Sequence, residues 1–261
     1  MTRSVTAILL AGRRPGVDPL AAHFGVEDKA LIEVAGEPML SRVARTLAEH
    51  PRIGRVIILS QEAEALKLHP KLQWMAADKG LGFEPSGSSI ADAIIATAQR
   101  HAGSLPFLAT TADNPLLSGE MIDSFLAEAE GSDAAFALVE RRTLLARYPG
   151  SRRTWLRFRG GAYSGANLFW FGSPKVLPVL NVWRGIEQDR KKGRAVIGAF
   201  GPLVLIGALL RVLSLRQAVR KLAGRFDLTA QAVVLPFAEA CIDVDKFEDH
   251  RLVESILKGR G

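Results

Sequence analysis

The sequence predicts a three-layer α/β/α protein on a mixed, mostly parallel sheet. Three observations carry this. Short apolar runs alternate with helical patterns through the first half of the chain. The runs are apolar throughout, the mark of strands covered on both faces. The runs also end near Gly12, Ser60 and Asp113. Right-handed crossovers gather such strand ends, and the loops after them, along one edge where open α/β sheets bind ligands.

The elements follow in order. Val5 to Ala11 reads as a buried strand, and Met39 to Glu49 as a helix with Leu40, Val43, Ala44 and Leu47 on one face. Arg55 to Ser60 is the second strand. Ile90 to His101 is a helix with Ser88 or Ser89 available as its N-cap. Pro106 to Thr111 is a strand leading into Asp113, Ser118 to Glu130 a helix, and Ala134 to Val139 a strand. The second half is less regular. Ala162 to Phe171 and Val233 to Leu235 read as strands, the latter stopped by Pro236, and Lys246 to Leu257 as a closing helix. No repeat or long linker divides the chain, so residues 1–261 read as one domain. Residues 1–140 form a ligand-binding half, and 141–261 a second half with a helical insertion at about 183–223.

Composition narrows the function classes. Hydrophobic residues make up 48% of the chain, which predicts a folded protein. The single cysteine, Cys241, excludes a disulfide framework and suits a reducing cytosol, so a cytoplasmic location is expected. The five histidines lack ligand-like spacing, which argues against a zinc site. The N-terminal apolar run breaks at Gly12 and Arg13, too early for a signal peptide. The net charge of +7 favours polyanions. Basic residues are not interleaved with aromatics, so small polyanions rank above nucleic acid, with an anionic membrane as an addition.

Several segments carry chemistry. In Leu10-Ala11-Gly12-Arg13-Arg14-Pro15-Gly16, a strand ends in a glycine turn whose amides and arginines could meet phosphate oxygens. A plain turn on a basic surface reads equally well. Beyond it comes Lys29-Ala30-Leu31-Ile32-Glu33-Val34-Ala35-Gly36-Glu37-Pro38-Met39-Leu40. Together the two segments resemble the nucleotidyltransferases of the sugar-phosphate and cofactor type, which include molybdenum cofactor guanylyltransferases and methylerythritol-phosphate cytidylyltransferases. Their pattern is Leu-Ala-Gly-Gly, then Lys-x-Leu-x-x-Val-x-Gly-x-Pro. This chain departs from it with Arg13 in place of the second glycine.

The resemblance implies a nucleotide-diphosphosugar transferase fold and transfer of an NMP from an NTP, CTP or GTP being favoured, to a phosphorylated acceptor. That acceptor would be a sugar phosphate, a cofactor phosphate or a lipid-linked alcohol phosphate. It implies catalytic roles for Lys29 and for Arg13 or Arg14 on the triphosphate. Nucleotide contacts would come from Leu10, Ala11, Gly12, Gly16, Ser88 and Ser89. Gly87 to Ile94 is similar to the family's pre-helix segment, although Ser88 and Ser89 also read as ordinary caps. Asp113, in Thr111-Ala112-Asp113-Asn114-Pro115, resembles the family's Mg²⁺-holding aspartate, against the reading of a turn before proline. Ile242-Asp243-Val244-Asp245 is similar to the late segment that supplies a second metal carboxylate, here Asp243. Asp245 reads as the helix cap with Glu248 as its partner. Arg157-Phe158-Arg159-Gly160-Gly161 and Asn167 look like an acceptor-binding turn and strand, or else a basic hairpin with a buried asparagine.

Residues 183–223 are unusual. Basic residues flank an uncharged stretch, Ala195 to Leu210, that is too short and too rich in glycine to span a membrane. A helical pair over the acceptor pocket is one reading. A peripheral, interfacial contact with the inner face of the membrane through about 190–223 is the other. Two rival functions stand beside nucleotidyl transfer: a GT-A-like glycosyltransferase, and a non-enzymatic nucleotide-binding or membrane-associated protein.

Overall fold

A computed structural model describes residues 4–13, 16–87, 89–101, 103–188 and 212–259. Strand β1 (Val5–Leu10) lies in the interior of an eight-stranded sheet and pairs in parallel with β4 (Ile53–Ser60) and β6 (Phe107–Thr111). Outside β4 lies β5 (Leu81–Pro85), also parallel. On the other side, β9 (Gly161–Phe171) runs antiparallel to both β6 and β7 (Ala134–Glu140). β10 (Ala230–Leu235) closes that edge, parallel to β7, and the short β8 (Leu156–Phe158) folds back on the start of β9. The mixed, mostly parallel α/β sheet expected from the sequence is the one observed.

Alternation along the strands divides the core. Ala7 and Leu9 of β1, with Val56 and Ile58 of β4, face one layer. There they meet α2 (Met39–Ala48), through Leu40, Val43 and Leu47, and α6 (Gly119–Ala129), through Ile122 and Phe125. Ile8, Ile57, Leu59 and Phe107 face the opposite layer. Here α5 (Ile90–Arg100) contributes Ile94 and Ile95, and α8 (Val176–Gln188) contributes Val176 and Leu180. Each such fully buried side chain contributes about 1.5–3 kcal/mol.

Several short elements escape the sequence patterns. These are α1 (Pro19–Phe24), the hairpin of β2 (Glu33–Val34) and β3 (Glu37–Pro38), and α3 (Ala63–Leu68). Also among them are α4 (Gln73–Ala77), β5, α7 (Arg141–Arg147) and β8. None is long enough to show a period. Of the expected insertion, α8 packs on α5, and α9 (Leu215–Gly224) packs beside β10. Most of the expected interfacial segment, residues 189–211, lies outside the described residues. Among the described residues no helix is long and apolar enough to cross a membrane. The closing helix α10 spans Phe247–Lys258.

Candidate active site

The site forms where β1, β4 and β6 end. Ala11 still belongs to the ladder, donating its N–H to Leu59 O at 2.9 Å, while Leu10 O accepts from Ala112 N at 2.9 Å. The chain leaves the sheet at Gly12. A side chain at Gly12 would press on the Gln61 carboxamide, whose atoms lie 3.1–3.2 Å from the position of a Cβ. That carboxamide accepts from Arg13 N at 2.9 Å and donates to Gly87 O at 3.1 Å. Gln61 therefore ties the glycine loop to the loop before α5. The Arg13 guanidinium pairs with Glu62 at 2.6 Å. Gly16 takes φ +103°, a conformation that side chains resist. A cavity of about 300 Å³ opens between this loop, α1 and Lys29, lined by Arg13, Gly16, Asp18 and Lys29 among others. Arg14 and Ser88 lie outside the described residues.

Lys29 sits on a single 3₁₀ turn, Lys29–Leu31, capped by Asp28, whose Oδ1 accepts from Ala30 N at 2.9 Å. Burial pushes the Asp28 carboxyl up. The next reversal, Ala35-Gly36, has φ of 50° and 78°, as a two-residue type I′ hairpin turn requires. Helix α10 braces this hairpin: Glu254 accepts from Ala35 N, and His250 Nε2 donates to Glu33 O at 2.7 Å. Phe24 packs against His250, with ring centroids 4.5 Å apart and the ring planes inclined by 44°.

Lys29 Nζ bridges two carboxylates, Asp113 Oδ2 at 2.8 Å and Asp245 Oδ1 at 2.6 Å. Burial alone lowers its pKa, but Asp113 and Asp245 outweigh burial and the net shift is upward, so the ammonium stays charged at neutral pH. Asp113 stands just past β6. Its carbonyl accepts from Val244 N at 2.9 Å, which splices the Asp243-Val244-Asp245 segment onto the end of the sheet. Asp243 accepts at Oδ1 from Arg153 at 2.7 Å and at Oδ2 from Asn167 at 3.3 Å. Burial, then the negative charge of Asp245, push its carboxyl up to about 6 against the pull of Arg153. Asn167 reaches it from a bulge in β9, at φ 47°, where the register with β7 shifts.

The structure thus brings together Gly12, Arg13, Gly16, Lys29, Asp113, Asp243 and Asn167. Ser89 caps α5, accepting from Asp92 N at 3.1 Å. Arg159 is directed elsewhere, its N–H to Leu213 O and its guanidinium to Gln217, while Arg157 is exposed on β8. The basic residue of this stretch that reaches the carboxylates is Arg153. The expected cap at Asp245 is corrected: Lys246 is the cap residue, and Asp249 Oδ2 accepts from Asp245 N and Lys246 N at 3.2 and 3.1 Å. Asp245 is freed from that duty to pair with Lys29. Sequence reasoning missed Gln61, Asp28, Arg153 and Asp249. Only Gln61 carried a signal, as the residue after Ser60 at the expected edge.

A Rossmann-like sheet with a glycine loop, a charged lysine and paired aspartates at its C-terminal edge defines a nucleotide-handling enzyme. Residues 7–200 match the MobA-like NTP transferase domain, and the chain belongs to that family. It is a nucleotidyltransferase. A hypothetical transferase from Thermus thermophilus is similar over 95% of this chain and 99% of its own, at 26% identity and a TM-score of 0.77. Two further structures share the fold. The 4-diphosphocytidyl-2C-methyl-D-erythritol synthase of Anaerococcus prevotii has 11% identity and a TM-score of 0.62, over 99% of this chain and 100% of its own. A CMP:2-keto-3-deoxy-manno-octonic acid synthetase complexed with CTP has 10% identity and a TM-score of 0.58, with the same coverage. No curated protein sequence matches the chain.

Proposed function

We propose that the enzyme transfers an NMP from an NTP, CTP or GTP, to a phosphorylated acceptor and releases pyrophosphate. The observation that carries this reading is the meeting of Lys29, Asp113, Asp243 and Asp245 beside the glycine loop. An acceptor phosphate oxygen attacks the α-phosphorus; the bond to the bridging oxygen of the β-phosphate breaks, and its electrons leave with pyrophosphate. Lys29 and Arg13, whose side chains line one cavity, hold the triphosphate; to do so Lys29 gives up Asp245 and Arg13 gives up Glu62. Gly12, Gly16 and Ser89 border the nucleotide. Asn167, bonded to Asp243 Oδ2, borders the acceptor.

The aspartates fit Mg²⁺. Asp113 Oδ1 is buried without a hydrogen bond, and Asp243 is held up at about 6 among other carboxylates. Both are hard oxygen ligands, and Asp113 Oδ1 could meet a cation while Oδ2 keeps Lys29. Among the described residues no group of three or more His, Cys, Asp or Glu forms a metal cage. Two carboxylates completed by phosphates are what Mg²⁺ with a nucleotide takes. Bound there, Mg²⁺ would neutralise charge on the reacting phosphate.

A thermal-shift screen of CTP, GTP, UTP and ATP with Mg²⁺ tests the reading, followed by pyrophosphate release with phosphorylated acceptors. One nucleotide should raise the Tm in the wild type, and the rise should vanish in Asp113→Asn. Stabilisation by nucleotide sugars but by no NTP would favour glycosyl transfer and refute the proposal.

A further inference from the structure

Outside the site, two segments distant in sequence assemble one basic surface. The β8–β9 hairpin docks on the start of α9, where Arg159 N donates to Leu213 O at 2.9 Å and its guanidinium reaches Gln217 at 3.4 Å. In an extended chain, Arg157 lies on the same side as Arg159. On α9, Leu215 and Ala218 are buried, while Arg216, Arg220 and Lys221 share the exposed face with Gln217. These five basic side chains are exposed, and none meets a carboxylate among the described residues. Neither Ser151–Gly161 nor Val212–Phe226 contains an acidic residue. Two large apolar side chains flank the cluster, Leu156 at 52% exposure and Val212 at 55%.

We propose that this surface docks on an anionic membrane. Charge of one sign draws it to acidic headgroups, and exposed aliphatic side chains beside the cations can enter the headgroup layer. Single-stranded nucleic acid fits less well, because it asks for exposed aromatic platforms, and Phe158 and Tyr163 of the hairpin are half-buried. The proposal stands apart from nucleotidyl transfer, since neither Arg216, Arg220 nor Lys221 belongs to the site.

The test is cosedimentation of the full chain with phosphatidylcholine vesicles, with and without phosphatidylglycerol, at low and high salt. A single-stranded oligonucleotide is measured in parallel. The wild type should bind only the vesicles containing phosphatidylglycerol, and salt should release it. Each basic residue near the surface is worth about fivefold in partitioning, so Arg216→Gln/Arg220→Gln/Lys221→Gln should bind roughly a hundredfold more weakly. Its Tm and its nucleotide-induced shift should be retained. Leu156→Ser, on the other segment, should weaken binding about tenfold and decides the matter where the triple variant does not fold. Wild-type protein left in the supernatant at low salt overturns the proposal. So does vesicle binding that both variants retain, or oligonucleotide binding without vesicle binding.

Discussion

Replacing Arg153 by Met should cost more stability than any other single change near the site. The Arg153 side chain is 8% exposed and spans two carboxylates, Asp243 at 2.7 Å and Asp249 at 2.8 Å. Asp249 in turn accepts from the backbone at the start of α10, so the arginine fixes both the Asp243 segment and the helix entry. Methionine fills similar volume and leaves two partly buried charges without their cation. Breaking a buried pair from one side costs about 3–5 kcal/mol. Asp243 is 26% exposed, so water recovers part of this and the lower end, about 3 kcal/mol, is expected. At about 2–4 °C per kcal/mol for a chain of this size, the Tm should fall roughly 6–12 °C. Circular dichroism during heating and urea titration measures both quantities. Adding Asp243→Asn removes one stranded charge and should restore part of the loss. A Tm within about 2 °C of wild type would refute the reasoning, because it would mean that the carboxylates do not depend on this guanidinium.

Three further outcomes follow from the geometry. Lys29→Met should lower kcat for pyrophosphate release by at least about a hundredfold, the scale for removing one preorganised transition-state donor, and Lys29→Arg should fall between. Gln61→Met removes both links between the glycine loop and the Gly87 loop. At the low end of hydrogen-bond worth for exposed groups, about 0.5 kcal/mol each, nucleotide affinity measured by calorimetry should weaken about fivefold, with a smaller change in kcat. Burial lowers the pKa of His250 below its ordinary 6.5. The unfolded chain therefore takes up a proton there before the folded one, and stability contributed by this group is lost as pH falls below about 6.5. The gap in urea midpoint between wild type and His250→Gln should be smaller at pH 5.5 than at pH 7.5.

Long elements were legible because their periods are long. The apolar runs of β1, β4, β6 and β7, and the helices α2, α5, α6 and α10, repeat their pattern enough times to declare themselves within a residue or two of their observed ends. Short elements were not. The 3₁₀ turn that presents Lys29 and the Ala35-Gly36 reversal depend on backbone angles at a few positions, which hydrophobic pattern does not record. The antiparallel placement of β9 between β6 and β7 was equally hidden, since an apolar strand reads the same in either direction.

The sequence by itself determined the central parallel strands, the edge at which Gly12 and Asp113 would emerge, and the family to which the glycine loop and Lys29 belong. Only the tertiary structure decided which charges meet. Val244 N–H bonding to Asp113 O joins parts of the chain more than a hundred residues apart, and with that join Asp243, Asp245, Lys29 and Arg153 become one network. The physical reason is range. Burial and periodicity act over a few neighbours and leave a mark in composition, whereas an ion pair is set by distance in space. For Asp245 local pattern suggested a helix cap. The fold gave that duty to Asp249 and left Asp245 to the lysine.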